Sequence, residues 1–116
     1  MKTSKHATIR GQQRGISKDL MDIVYSFGTR NPSHGNAEEY RLTKKRSRML
    51  IAEHKKNLQH IKRSCDSLVF SEVPKKIKNI LIQKEIDFIK DVDKACGKVA
   101  VMSRDDSTII TVYSLN

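Results

Sequence analysis

No run of apolar residues in this chain approaches the ~20 that a membrane-spanning helix requires, so no insertion into a bilayer is expected. The N-terminus is basic but has no apolar stretch behind it, and nothing there reads as a signal peptide. Cysteine is scarce. Cys65 and Cys96 are the only two, and without a cluster of histidines near them they make no zinc site. Both are expected as reduced, buried thiols of a cytosolic, cytoplasmic protein. A phosphate-binding glycine-rich loop, a His-Glu-x-x-His helix and a Gly-x-Ser-x-Gly elbow are all missing, so neither a metal nor a cofactor is expected. Internal repeats and low-complexity tails are absent too. Acid is in short supply: 13 Asp and Glu stand against 23 Lys and Arg, a formal net charge of +10. That balance favours nucleic acid, an anionic membrane surface or an acidic partner protein. A length of 116 residues suits one domain with one core.

What is present begins with Ser4–Gly28. On a helix, residues four and eight apart share a face, so His6, Arg10 and Arg14 line up with Gln13 beside them. Gly15 breaks the run and Ser17 can cap a second helix, whose Leu20, Ile23, Val24 and Phe27 form an apolar stripe ending at Gly28. Thr29–Ala37 is rich in turn formers and reads as an exposed loop, and Glu39–Thr43 as a short strand. Lys44–Arg48 places four cations in five residues. From Leu50, the spacing of Leu58, Ile61, Cys65 and Leu68 predicts a helix with His54 on its seam and Lys55, Lys56, Lys62 and Arg63 opposite. His54 reads as a core histidine with its ring hydrogen-bonded.

Val73–Cys96 predicts a further helix, with Ser71 as its cap, Pro74 in the first turn and Gly97 as its stop. Its apolar residues spread over more than one face, which implies burial between layers or a homodimer through this helix. Lys98–Ser103 and Thr108–Ser114 read as a β-hairpin around a polar turn, with Tyr113 on the same strand face as Ile109 and Thr111. The expected fold class is α+β: two N-terminal helices, a long helical middle segment, and a small antiparallel β-sheet closed by the C-terminal hairpin. All of 1–116 forms one domain in this reading, with 46–96 as a helical insertion.

The order His6-x3-Arg10-x-Gln12-Gln13-Arg14-Gly15-Ile16, then Tyr25-x2-Gly28, Leu42-Thr43 and a closing Ile110-Thr111-Val112-Tyr113 resembles a small bacterial family. That family is catalogued as a domain of unknown function, number four-two-five-eight. It is similar in turn to the toxin-nuclease group of RelE-like, barnase-like and colicin-type ribonucleases. The resemblance covers the two ends of the chain, about half its length, and is not carried into the middle. It implies that His6, Arg10, Gln13 and Arg14 border an active cleft, with Thr111 and Tyr113 on the neighbouring strand.

Metal-free cleavage of RNA needs a base for the 2′-OH proton, an acid for the leaving 5′-oxygen, and cations for the charge building on phosphorus. His6 titrates near neutrality and suits proton transfer; Arg10 and Arg14 suit a phosphate clamp. The Tyr113 hydroxyl can donate to a phosphate. Lys44, Lys45, Arg46 and Arg48 would guide the RNA backbone. Plainer readings stand beside these. Arg10 and Arg14 can pair with Asp19 or Asp22, Gln13 can brace the turn at Gly15, and Tyr113 can simply pack on the sheet. His34, Glu38 and Glu39 sketch a weak metal site. The expectation is therefore a small basic RNA-directed protein, a metal-independent ribonuclease of the bacterial toxin type partnered by an acidic antitoxin or immunity protein. The alternative is a non-catalytic module that binds nucleic acid or a partner, dimeric through the 73–96 helix.

Overall fold

Two serines start the first two helices. A computed structural model describes residues 2–65 and 74–115, the Cys65 side chain excepted. After a two-residue strand β1 (Lys2–Thr3), the Ser4 hydroxyl caps α1 (Lys5–Arg14) by accepting the Ala7 N–H at 3.0 Å. Gly15 ends it with a left-handed φ of 68°. Ser17 repeats the device for α2 (Lys18–Phe27), accepting the Leu20 N–H at 3.3 Å. Leu20, Met21, Ile23 and Val24 form its buried stripe. Then come β2 (Thr29–Pro32), β3 (Ala37–Arg41), α3 (Lys44–Cys65), α4 (Lys75–Ala95), β4 (Lys98–Ser103) and β5 (Thr108–Ser114). Expectations resting on Leu68, Ser71 and Val73 lie outside the described residues.

The fold is α+β, four helices with a five-stranded sheet ordered β1-β5-β4-β3-β2. Three expectations need correction. The sheet is mixed and open rather than antiparallel and closed, because β1 joins β5 in parallel through Lys2↔Thr108 and Thr3↔Ile109. Thr29–Pro32 is a strand, not a loop. The turn formers that disguised it belong to residues 33–36, where Gly35 takes a φ of 66°. Pro32 is tolerated because β2 is an edge strand. Finally, Ile109 does not share a face with Thr111 and Tyr113. A register shift sets Val101 opposite Thr111 but Met102 opposite Ile109, so the strand bulges at Ile110 and the alternation flips.

That bulge sorts the two faces. Ile109 and Val112 join Ala100 and Met102 against Ala7 of α1, Ile16, and Leu20, Met21 and Val24 of α2. Glu39, Arg41, Val99, Val101, Thr111 and Tyr113 share the opposite face by register. Among the described residues, α1 and α2 are the helices that pack broadly on the sheet, and both lie on the first face. Val99 and Val101 are nonetheless 1% and 9% exposed.

α3 and α4 pack on each other between two strands that are themselves neighbours, and the molecule extends 57 Å along its longest axis. Leu50, Val92 and Ala95 tie the base of this helical pair to the core. Farther out, His54 Nδ1 meets Glu85 Oε2 at 2.8 Å, and its ring lies 4.3 Å from that of Phe88. The α4 face is not fully sandwiched. Ile77, Ile80 and Leu81 remain nearly half exposed. Cys96 is a free, half-buried thiol.

Candidate functional site

α1 runs along the outer edge of β5. Because β1 pairs only with Thr108 and Ile109, the rest of that edge is met by α1 and its cap. Ser4 N–H donates to the Ile109 carbonyl at 2.9 Å, and Arg14 Nη1 donates to the Val112 carbonyl at 2.6 Å. Arg14 thus binds the strand rather than Asp19 or Asp22. His6, Arg10 and Gln13 stand exposed on the same helix. Thr111 and Tyr113 do lie on the neighbouring strand, but their side chains point to the other face of the sheet. The row and these two residues share a strand, not a cleft wall.

On the open face a second constellation forms, which the sequence reading did not single out as a unit. Arg41 holds one oxygen of Glu39 through Nε at 3.0 Å and Nη2 at 2.8 Å. Tyr113 donates its hydroxyl to the other oxygen at 3.0 Å. Pro32, Ser33 and His34 complete a pocket of about 420 Å³ over Glu39 and Arg41. The Arg41 hydrogen bonds hold the Glu39 carboxyl below its ordinary range, against the opposing effect of burial and with help from Tyr113. Burial and the Glu39 carboxylate together push the Tyr113 phenol up, so it remains a donor at neutral pH. Glu39 and Arg41 sit two apart on one strand, and that spacing was the available signal.

Glu38 points the opposite way, as neighbours on a strand must. It takes Arg30, Arg104 Nε at 3.3 Å and the Tyr40 hydroxyl at 3.2 Å. Burial raises its carboxyl, but these donors outweigh that effect and leave it lowered. The metal site sketched from His34, Glu38 and Glu39 therefore fails, since the sheet separates its two carboxylates. Among the described residues no three His, Cys, Asp or Glu side chains gather as metal ligands.

The basic run occupies the first turns of α3. Lys44, Lys45 and Arg48 are exposed, whereas Arg46 is half-buried and donates Nε to the Phe27 carbonyl at 3.1 Å. Arg46 braces α2 against α3 and is not a free phosphate contact. No described helix is long and apolar enough to cross a membrane.

The two lowered carboxyls make a prediction about acid. A group whose pKa is depressed by folding stabilises the fold above its unfolded value, about 4.3 for Glu, and loses that contribution as pH falls through the folded value. Thermal melts should be level from neutrality to about pH 5 and should fall below about pH 4. The double variant Glu38→Gln/Glu39→Gln should show a shallower acid fall. An unchanged slope would mean that other groups control the transition.

Fold and site together define an open-sheet α+β protein with a basic helix along one strand edge and a carboxylate–guanidinium–phenol cluster on the face opposite α1 and α2. Comparison of the chain with protein-family models, with curated proteins and with solved structures found no match.

Proposed function

We propose that this protein is RNA-directed and cleaves RNA by metal-independent transesterification on the open face of its sheet. The observation that carries the reading is the pocket above Glu39. It brings together a carboxylate, an imidazole and a guanidinium, a set able to take a proton, give a proton and hold a phosphate. Glu39 is the base for the 2′-OH, His34 the acid for the leaving 5′-oxygen, and Arg41 the phosphate contact. Tyr113 orients Glu39 through its hydrogen bond. Thr111, next on the same face, borders the path of the strand.

The row of His6, Arg10 and Arg14 supports a second assignment, in which His6 carries the proton and Arg10 grips phosphate. This row offers one titratable group where the reaction needs two. In the present reading its part is to bind the RNA backbone, together with Gln13 and with Lys44, Lys45 and Arg48. The family resemblance, resting on the residues quoted above, points to the same class of activity. An acidic protein is the partner proposed for such a toxin. Lys75, Lys76 and Lys84 surround the half-exposed Ile77, Ile80 and Leu81, so pairing two copies there would oppose like charges.

The test starts with binding. Affinity for single-stranded RNA should fall steeply with salt, because each phosphate contact releases a counterion. Replacing Lys44, Lys45 and Arg48 by Gln should flatten the log–log slope by about 2, at about 0.7 per contact. Incubation with labelled RNA in a chelator should then yield 2′,3′-cyclic phosphate ends. Binding without cleavage would make the protein a non-catalytic module, and no binding even at low salt would remove RNA altogether.

A further inference from the structure

A separate cavity lies away from all of these residues. It opens between β1 and the corner where α1 turns into α2, and its volume is about 800 Å³. Thr8 lines it from α1. At 100° per residue Thr8 stands about 200° around the helix from His6, so the cavity is on the other flank.

Its chemistry has two zones. Ile16 and Met21 provide an apolar floor, each only 2% exposed. Lys2 and Lys18, both exposed, provide cations at the wall, and among the described residues no Asp or Glu lines the site. Thr3 also lines it, and among the described residues the buried Thr3 Oγ1 has no hydrogen-bond partner. A stranded hydroxyl costs stability. The volume falls within the range of small-molecule pockets, which combine apolar walls with a few convergent polar groups.

We propose that this cavity binds a small organic anion: a phosphate or carboxylate group between Lys2 and Lys18, with a hydrophobic body over Ile16 and Met21. The two lysines select the charge, and the floor selects against a bare inorganic ion. This site is independent of the RNA reading and stands or falls without it.

Two-dimensional NMR of the full chain, without RNA, tests it with three probes: n-hexyl phosphate, inorganic phosphate and hexanol. Hexyl phosphate should shift the amides of Thr3, Thr8 and Lys18 saturably, and each of the other probes should bind at least about tenfold more weakly. Lys18→Gln, an exposed change, should weaken hexyl phosphate about tenfold. Thr3→Val should raise the melting temperature of the free protein by removing the stranded hydroxyl. Hexanol binding as tightly as hexyl phosphate would overturn the role of charge. Inorganic phosphate binding equally well would overturn the role of the floor. Shifts confined to the lysines of α3 and α4 would overturn the site.

Discussion

Under the proposed ribonuclease reading, Glu39→Gln should lower the rate of RNA cleavage in a chelator by about 10²- to 10⁴-fold while RNA affinity changes little. The amide keeps the shape of the carboxylate, and its oxygen can still accept from Arg41 or Tyr113, so the fold should survive. What it loses is the ability to take a proton. His34→Ala should cost a comparable factor. Arg41→Ala should raise the apparent Kd as well as slow the chemistry, since a phosphate contact acts in ground and transition states alike. His6→Ala is the control that separates the two assignments. It should weaken binding modestly and leave the rate at saturating RNA intact. The reverse pattern, loss with His6→Ala and none with Glu39→Gln, would move the chemistry to α1. Melting curves for each variant distinguish lost catalysis from lost fold.

The second large effect is on stability. Gly28→Ala should destabilise by about 2–3 kcal/mol, a fall of about 10–20 °C in Tm. The backbone there has a φ of −72°, which any residue adopts, so the cost is not conformational. It is steric: an added Cβ would lie 2.3 Å from the Val24 carbonyl oxygen and 3.0 Å from that of Arg41. Both obstacles are main chain, one in α2 and one in β3, and neither can swing aside. Gly35→Ala is the counterpart. Its φ of 66° disfavours alanine, but nothing lies within 4 Å of the new atom, so the penalty should stay near 1 kcal/mol. Equal losses at the two positions would contradict the close approach at Gly28.

Much of this architecture was legible in the residues. The capping serines, the Gly15 break and the stripe of α2 are local signals, and local signals act wherever the chain goes. His54 was readable on its seam for the same reason, though its partner Glu85 was not. The failures are non-local. Nothing in Lys2–Thr3 says that it will lie beside Thr108 and Ile109, 106 residues further along the chain. The bulge at Ile110 is equally silent, because alternation read from either end of β5 looks regular until its partner strand is known. The site suffered most from this. Glu38 and Glu39 look like a pair in sequence, whereas the pleat sends one to Arg30 and Tyr40 and the other to Arg41 and Tyr113.

The position of α3 and α4 has one further consequence. β3 and β4 are adjacent antiparallel strands, with Arg41 opposite Val99. Neighbours of that kind are ordinarily joined by a turn of about two residues. Here the two ends of the stem are already fastened: Leu42 donates to the Lys98 carbonyl at 3.1 Å, and Gly97 to the Leu42 carbonyl at 2.7 Å. Everything between those bonds is a detour that leaves the sheet and returns to the same spot. Among the described residues, the base of the detour is woven into the core at Leu50, Val92 and Ala95, with Ile51 and Phe88 packed against it. The outer reach of the helical arm is therefore a region whose length can change in whole turns without altering a single strand register, which makes it the natural ground for variation in whatever the arm contacts.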